Sequence, residues 1–498
     1  MKNELKLGAV ISLVTIAVSI LIQLIYTPIY MKFLGVTDYG INSLVQTIIT
    51  YVTLLNLGLG NTIIRYTVHY REQNKLEEEK KLNAMFLIIF LVIMLISIII
   101  GGLIYLKIPN FFANKFTMEE LRRTQKVFFI TMINTSFSFP ISVFSANIFS
   151  KEKYLYQKSV SLLKTLLSPI LGFILMKNGY GLITIVSMTT IVNLLIGVLD
   201  VGYALKLGMR FAFKNINFKL LNEIFKYSIF IFLGLVMDKV YWGVDRILIG
   251  KYLGAKIVGV YSIASVFMMV YMSFASNIST LIFPRINKLV LEKNTDNLSK
   301  FILEVSRVQY MLLGLISSGF ILFGKEFIEL WIGEDFQIVY YLVLWIIIPI
   351  TIPLTQYSYT LVLQAKNKHQ IVTIFYFFLA VVNVIGSIYA VKRYGMLGCA
   401  GVTGISLVIG HTFILGSYFY KNVDKNITKF WKEIIKLTVL IAIILVVGKV
   451  TNSFFNEISF KILIIKISLY IILYLIIIYF WGMNTLEKNE IKKLVKRK

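Results

Sequence analysis

IFKYSIFIFLGLVMDKVYWGVDRILIGKYLGAKIVGVYSIA, residues 224–264, decides how the rest of the chain is read. Residues 225–248 are apolar enough to span a bilayer, yet beyond Lys226 at their start they hold four charges. At about 100° per residue, Asp238, Trp242, Asp245 and Ile249 fall on one line with Lys239 and Arg246 on its flank, so all four charges share one side of a helix. An ionisable group at membrane depth costs roughly 2.5–3.5 kcal/mol on the insertion scale, so that side faces a protein interior or a water-filled cavity. The helix reads as a cavity wall.

The composition sets the frame around it. The 498 residues are 57% hydrophobic and 15% charged, with a mean hydropathy of +0.78, whereas a soluble domain carries about 25% charged residues. The chain is therefore read as an all-α, polytopic membrane protein. One cysteine, Cys399, and seven prolines, with no CxxC or HExxH spacing, remove a disulfide framework and the common zinc sites. No GxxxxGK[ST] is present, so nothing suggests nucleotide hydrolysis, and no metal site is expected. The apolar run from Leu7 to Met31 is too long for a signal-peptide core and lacks a small-residue cleavage site, so it is read as a retained first span.

Apolar windows of about 20 residues fall near 8–31, 41–64, 83–106, 127–149, 159–176, 181–205, 225–248, 257–283, 302–323, 338–363, 371–391, 397–420, 434–450 and 459–482, making fourteen expected spans. With the N-terminus inside, 31 lysines and arginines lie on the cytoplasmic side against 14 outside. That bias predicts cytoplasmic N- and C-termini. One outside stretch runs against it: 107–126 holds Lys107, Lys115, Arg122, Arg123 and Lys126, and is read as an interfacial segment on anionic headgroups, with substrate contact as the alternative. No outside loop exceeds about 20 residues, which leaves no room for an outer catalytic domain.

An internal repeat organises these spans. IYMKFLGVTDYGINSLV (29–45) lies over LIGKYLGAKIVGVYSIA (248–264) at an offset of 219, pairing Lys32 with Lys251, Gly35 with Gly254 and Gly40 with Gly259. NTIIRY (61–66) lies over TLIFPRI (280–286), so Arg65 corresponds to Arg285 within one residue. Six spans, an even number, separate the copies, so the two lobes are parallel repeats about an axis along the membrane normal. The expected organisation is an N-lobe at 1–206, a cytoplasmic linker at 207–224, a C-lobe at 225–420, and spans 13 and 14 with a basic tail at 421–498.

Together FLGVTDYG, NLGLGNTIIRY (56–66), DRILIGKYLGAKIVGVYSIA (245–264), LIFPRINKL (281–289), LVLQAKNKHQ (361–370) and NVIGSIYAVKRYGMLGCAGV (383–402) resemble the polysaccharide-export flippases of the multidrug/oligosaccharidyl-lipid/polysaccharide superfamily. The resemblance covers spans 1 to 12. It implies a two-lobed alternating-access transporter, not an enzyme, that moves undecaprenyl-diphosphate-linked oligosaccharide from the inner to the outer leaflet of a bacterial cytoplasmic membrane. The implied partners are that lipid-linked sugar, the bilayer and the polysaccharide polymerase machinery, with no nucleic acid. Peptidoglycan-precursor flippases of the superfamily carry arginine in the first span, whereas this one offers Gln23, with Pro28 as a kink; the departure counts against a lipid II substrate.

Candidate substrate-binding residues are Gln23, Arg65, Lys239, Arg246 and Arg285, because an arginine fork or an ammonium suits a diphosphate. Arg65 and Arg285 read equally as positive-inside anchors. Asp238 and Asp245 are candidates for ion coupling or structural ion pairs; no cofactor is expected beyond H⁺ or Na⁺. Lys164 and Arg307 read as snorkelling side chains, an alternative that Arg246 shares; His411 is a candidate to titrate near neutral pH, with a buried, hydrogen-bonded histidine as the commoner case. Asn56, Asn61, Asn134, Asn193, Asn277, Gln309, Gln356 and Asn383 read mainly as interhelical hydrogen bonds, a few of them lining a sugar path. The competing functions are a cation-coupled multidrug exporter, which needs acid-rich lobes, and a membrane glycosyltransferase, polymerase or ligase, for which the outer acidic stretch KEFIELWIGED (325–335) is too short a host.

Overall fold

The computed structural model describes residues 2–214, 218–423, 427–455 and 457–496. Residues 215–217 of the expected linker and 424–426, 456 and 497–498 of the C-terminal segment lie outside the described residues, as do the side chains of Asn61 and Asn277. Every regular element among the described residues is helical, as a chain surrounded by hydrocarbon requires if each backbone polar group is to be satisfied within its own segment.

In order, the helices are α1 (Lys2–Thr53), α2 (Leu59–Glu72), α3 (Leu76–Phe112), α4 (Met118–Ser150), α5 (Tyr154–Lys177), α6 (Leu182–Lys206), α7 (Phe218–Leu253) and α8 (Ala255–Leu291). They continue as α9 (Thr295–Ile332), α10 (Ile338–Thr355), α11 (Tyr357–Ala365), α12 (His369–Ser406), α13 (Gly416–Asn422), α14 (Ile427–Asn452), α15 (Phe460–Ile477) and α16 (Thr485–Lys496), with a π-helical stretch, Leu407–Leu415, joining α12 to α13. Among the described residues, eleven segments are long and apolar enough to cross a membrane. Two of them carry a pair of expected spans each, folded at Gly35 and at Gly395, and α7 covers the remaining window. The fourteen expected spans are thereby accounted for.

The second expected span ends sooner than its hydropathy suggests. Leu57 and Gly58 take left-handed conformations after a short 3₁₀ turn, Leu54–Asn56, and α2 starts afresh. The basic stretch 107–126 is not a separate interfacial segment: α3 runs to Phe112, and α4 opens at Met118 behind a capping box in which Thr117 and Glu120 satisfy each other's backbone N–H groups. Arg123 is taken up by Asp38 at 3.0 Å and by Glu119.

The chain divides into two compact units, Met1–Ser262 and Ile263–Lys498. This division by packing does not bear on the lobe boundaries read from the repeat, which concern movement. In the first unit the repeat is visible as geometry. Gly35 (φ 83°) and Gly254 (φ 97°), paired at the offset of 219, both turn the chain between consecutive spans in a backbone region that side chains rarely adopt. Just beyond them the two copies cross. A Cβ on Gly40 would lie 2.0 Å from the carbonyl oxygen of Ala255, and one on Gly259 would lie 2.3 Å from that of Val36. Since Val36 and Ala255 are also separated by 219, the contact is reciprocal, a small-residue crossing of the kind that lets backbones approach closely.

In the second unit, α14 and α15 are strapped to α9 by polar bonds across apolar surface. Tyr310 and Thr438 share a hydrogen bond of 2.6 Å, Tyr470 donates to Ser318 at 2.6 Å, and Tyr474 donates to the Met311 carbonyl at 2.7 Å. Lys466, 6% exposed, meets both carboxylate oxygens of Glu326 at 3.0 and 3.1 Å. Arg307 corrects its snorkelling alternative: it is 3% exposed and held by Glu433, by a two-point contact with Glu487 at 2.8 and 3.0 Å, and by the Gly482 carbonyl at 2.7 Å. A buried guanidinium needs such full pairing, and the pairing fastens α16 to the spans.

Candidate functional site

The first unit encloses a cavity of about 750 Å³ walled by α1, α4, α5 and α6 and by Asn56 of the 3₁₀ turn. All four helices belong to segments able to cross a membrane. On α4 the lining residues Thr131, Asn134, Thr135, Ser138, Ser142 and Ser145 recur every three or four positions, so one face of an otherwise apolar helix is hydroxyl and amide. Asn42, Gln46, Thr50 and Thr53 make the same stripe on α1, and Thr189, Thr190, Asn193 and Asp200 make it on α6.

Four of the α4 hydroxyls are already committed as donors. Thr131 donates to the Val127 carbonyl at 2.7 Å, Thr135 to that of Thr131 at 2.9 Å, Ser138 to that of Thr135 at 2.7 Å and Ser142 to that of Phe139 at 2.6 Å. This back-bonding satisfies O–H groups in a helix and leaves their oxygen lone pairs for the cavity. Among the lining residues, Asn42 Oδ1, Asn56 Oδ1, Asn193 Oδ1, Ser168 Oγ and the Tyr30 hydroxyl are buried with no hydrogen-bond partner. Native interiors rarely leave such atoms unmatched, so these side chains are candidates to turn toward the cavity when it is filled.

Two charged residues line the space, Lys164 and Asp200. Asp200 accepts from Ser145 at 2.7 Å and from the Tyr156 hydroxyl at 3.1 Å. Lys164 has no ion-pair or hydrogen-bond partner among the described residues. The snorkelling alternative misses its place on the cavity wall, and Asp200 drew no notice in the sequence. The stripes of neutral polar residues on α1, α4 and α6 were the signal that could have found the cavity; charge drew the eye elsewhere.

Of the residues singled out from the sequence, Asn56, Asn134, Asn193 and Lys164 line this cavity, whereas Gln23, Arg65, Asp238, Lys239, Asp245 and Arg246 of the same unit are not among its lining residues. Asp238 and Lys239 pair with each other at 3.3 Å with side chains 51% and 43% exposed, while the Tyr51 hydroxyl donates to the Lys239 carbonyl at 3.2 Å. Asp245 and Arg246 are in helix contacts instead. Asp245, 3% exposed, accepts from Tyr261 at 2.8 Å, and Arg246 donates to Thr47 at 3.3 Å. Gly243 makes room for that approach of α7 to α1, since a Cβ there would lie 2.7 Å from the Tyr51 hydroxyl. Gln23 is half-buried on α1, and Arg65 is exposed on α2. Arg285, in the second unit, is exposed with its guanidinium 4.4 Å above the Phe301 ring.

Of the polar residues expected in interhelical bonds, Asn383 donates to Thr403 at 2.9 Å, and Gln356 is buried with both amide atoms unpartnered. His411 is buried between Tyr376 and Phe419, as expected of a core histidine, with Nδ1 unpartnered.

Comparison with solved structures places the fold. The lipid II flippase MurJ in an inward closed conformation is 17% identical at a TM-score of 0.74, covering 95% of this chain and 97% of that one. An inward-facing multidrug resistance MATE family transporter of the MOP superfamily is 14% identical at 0.64, covering 80% and 95%. A MOP superfamily transporter from Pyrococcus furiosus is 15% identical at 0.55, covering 83% and 96%. At these identities the likeness shows a shared fold, that of multi-pass membrane transporters. Comparison with curated protein sequences finds no match. The family profile described as polysaccharide biosynthesis protein matches residues 5–290. With more than half its length inside that profile, the chain belongs to the polysaccharide biosynthesis protein family.

Proposed function

We propose that this protein is a flippase carrying undecaprenyl-diphosphate-linked oligosaccharide repeat units from the inner to the outer leaflet of a bacterial cytoplasmic membrane, for surface polysaccharide synthesis. The observation that carries the reading is the 750 Å³ polar cavity among spans whose other faces are apolar. A polar void of that size falls in the range of ligand sites, about 300–1,000 Å³, and serves no purpose in a structural scaffold. Family membership supports the substrate class, and the fold shared with a lipid II flippase supports the transport of a lipid-linked sugar.

In this reading both termini are cytoplasmic, and lobes 1–206 and 225–420 rock while the polyprenyl tail stays in lipid. Arg65, Lys239 and Arg285, whose side chains are accessible, meet the diphosphate as it enters. Gln23 and Arg246 complete the proposed substrate contacts, Arg246 through the position that Thr47 gives it, and Asp238 and Asp245 balance the cations or carry the coupling ion. With the inside negative, moving two phosphate charges outward is favoured by roughly 2.3 kcal/mol per charge per 100 mV, so the potential can drive the loaded step. A cation-coupled drug exporter would also suit the fold, but a cavity with one base for its one acid suits a hydroxylated cargo better than an organic cation.

The test is transfer of a labelled undecaprenyl-diphosphate oligosaccharide across proteoliposomes holding the purified protein, scored with an external sugar-modifying enzyme. Appearance of label outside is expected. Its absence for several glycans, together with pumping of cationic dyes, would hand the function to the exporter reading.

A further inference from the structure

Resting on that reading, we infer that the first-unit cavity is the seat of the glycan and takes an uncharged, hydroxyl-rich saccharide, leaving the diphosphate to residues elsewhere. Three independent features of the wall point the same way. The hydroxyls of Thr131, Thr135, Ser138 and Ser142 donate to carbonyls of their own helix, so what these four offer inward is lone pairs. The buried unpartnered amide atoms are likewise acceptors, the carbonyl oxygens of Asn42, Asn56 and Asn193. The charges cancel, Lys164 against Asp200.

A wall that offers these lone pairs beside the O–H groups of Tyr30 and Ser168, with no net charge, recognises a ligand that both donates and accepts through many hydroxyls and brings no charge. Sugar hydroxyls meet that description. Carboxylates and phosphates do not: both are acceptor-only groups when ionised, so they would leave the amide oxygens unmatched and add negative charge beside Asp200. Burying a charge without full pairing is costly, so the wall discriminates against acidic sugars as well as against the headgroup.

The discriminating experiment uses two donors with the same polyprenyl diphosphate, differing at one sugar by the change from a hexose to the corresponding hexuronic acid. In proteoliposomes the neutral glycan is expected to cross at least tenfold faster. Asp200→Asn removes the negative charge but keeps an acceptor for Ser145 and Tyr156, and should narrow that ratio at least threefold. Free neutral oligosaccharide should inhibit transfer, whereas inorganic diphosphate at the same concentration should not. Equal rates for the two glycans overturn the inference, and a faster acidic glycan would make Lys164 the partner of a sugar carboxylate. Failure to move either glycan-lipid strikes the flippase reading instead. In that event equilibrium dialysis of the free neutral and acidic oligosaccharides against the purified protein decides the seat by itself, and equal or absent binding refutes it.

Discussion

Replacing Gly40 by alanine should loosen the crossing between the two repeat copies. The new methyl would sit 2.0 Å from the Ala255 carbonyl oxygen and 2.7 Å from the Gly259 nitrogen, a shortfall of about 1.4 Å against the 3.4 Å at which ordinary contact begins. Both neighbours are backbone, so no side chain can swing aside and the helices must part. Overpacking of this kind costs about 1–3 kcal/mol, offset by the roughly 0.5–1 kcal/mol that alanine gains over glycine within a helix. The net expectation is a loss of about 1–2 kcal/mol, seen as a fall of about 1–2 °C in the thermal unfolding of detergent-purified protein. Gly259→Ala should behave alike, its methyl lying 2.3 Å from the Val36 carbonyl. Because one separation relieves both clashes, the double variant should lose less than the two singles together, with a coupling of about 0.5–3 kcal/mol. Gly102→Ala is the reference, since no heavy atom lies within 4 Å of its added Cβ. If Gly40→Ala unfolds where Gly102→Ala does, or if the two clashing substitutions simply add, the reciprocal crossing is not holding these helices together.

Arg307→Met should destabilise the protein by about 3–5 kcal/mol, because it strands two carboxylates that the guanidinium now neutralises; Glu487→Gln should cost less but expose the segment around 484 to limited proteolysis, and unchanged cleavage would mean α16 is not fastened through Arg307. For the buried pair of Lys466 and Glu326, each single change, Lys466→Met or Glu326→Leu, should cost about 3–5 kcal/mol while the double change is close to neutral, a pattern that melting curves of the three variants would deny if the double is as weak as the singles. Lys239→Ala should reduce glycan transfer while leaving membrane abundance and unfolding temperature unchanged, since an exposed pair is worth about 0–1 kcal/mol; full transfer at normal abundance would remove Lys239 from the headgroup contacts.

The number and order of spans were legible because hydropathy is a local property, and the repeat was legible because Gly35, Gly40, Gly254 and Gly259 meet backbone demands that glycine satisfies best. Other features depend on residues far apart in sequence. Nothing near Arg307 announces Glu433 or Glu487, so a lone arginine within a span looks like one that reaches for the interface. The cavity was hidden for a different reason. Serine, threonine and asparagine scattered through apolar spans are ordinarily absorbed by helix carbonyls or neighbouring helices, and only the convergence of stripes from α1, α4 and α6 turns them into a site. Charge spacing on α7 was read correctly as periodicity, but Asp245 and Arg246 resolve into contacts with Tyr261 and Thr47, which lie on other segments of the chain.

The one-residue turns at Gly35, Gly254 and Gly395 have a consequence for how this protein meets the world beyond the membrane. They lie on the side that the lysine and arginine bias assigns to the exterior. A chain that reverses direction there within a residue leaves almost nothing for an antibody, a phage or a protease to grip. At these three positions the helices meet with a single residue between them, and no loop stands out from the turn.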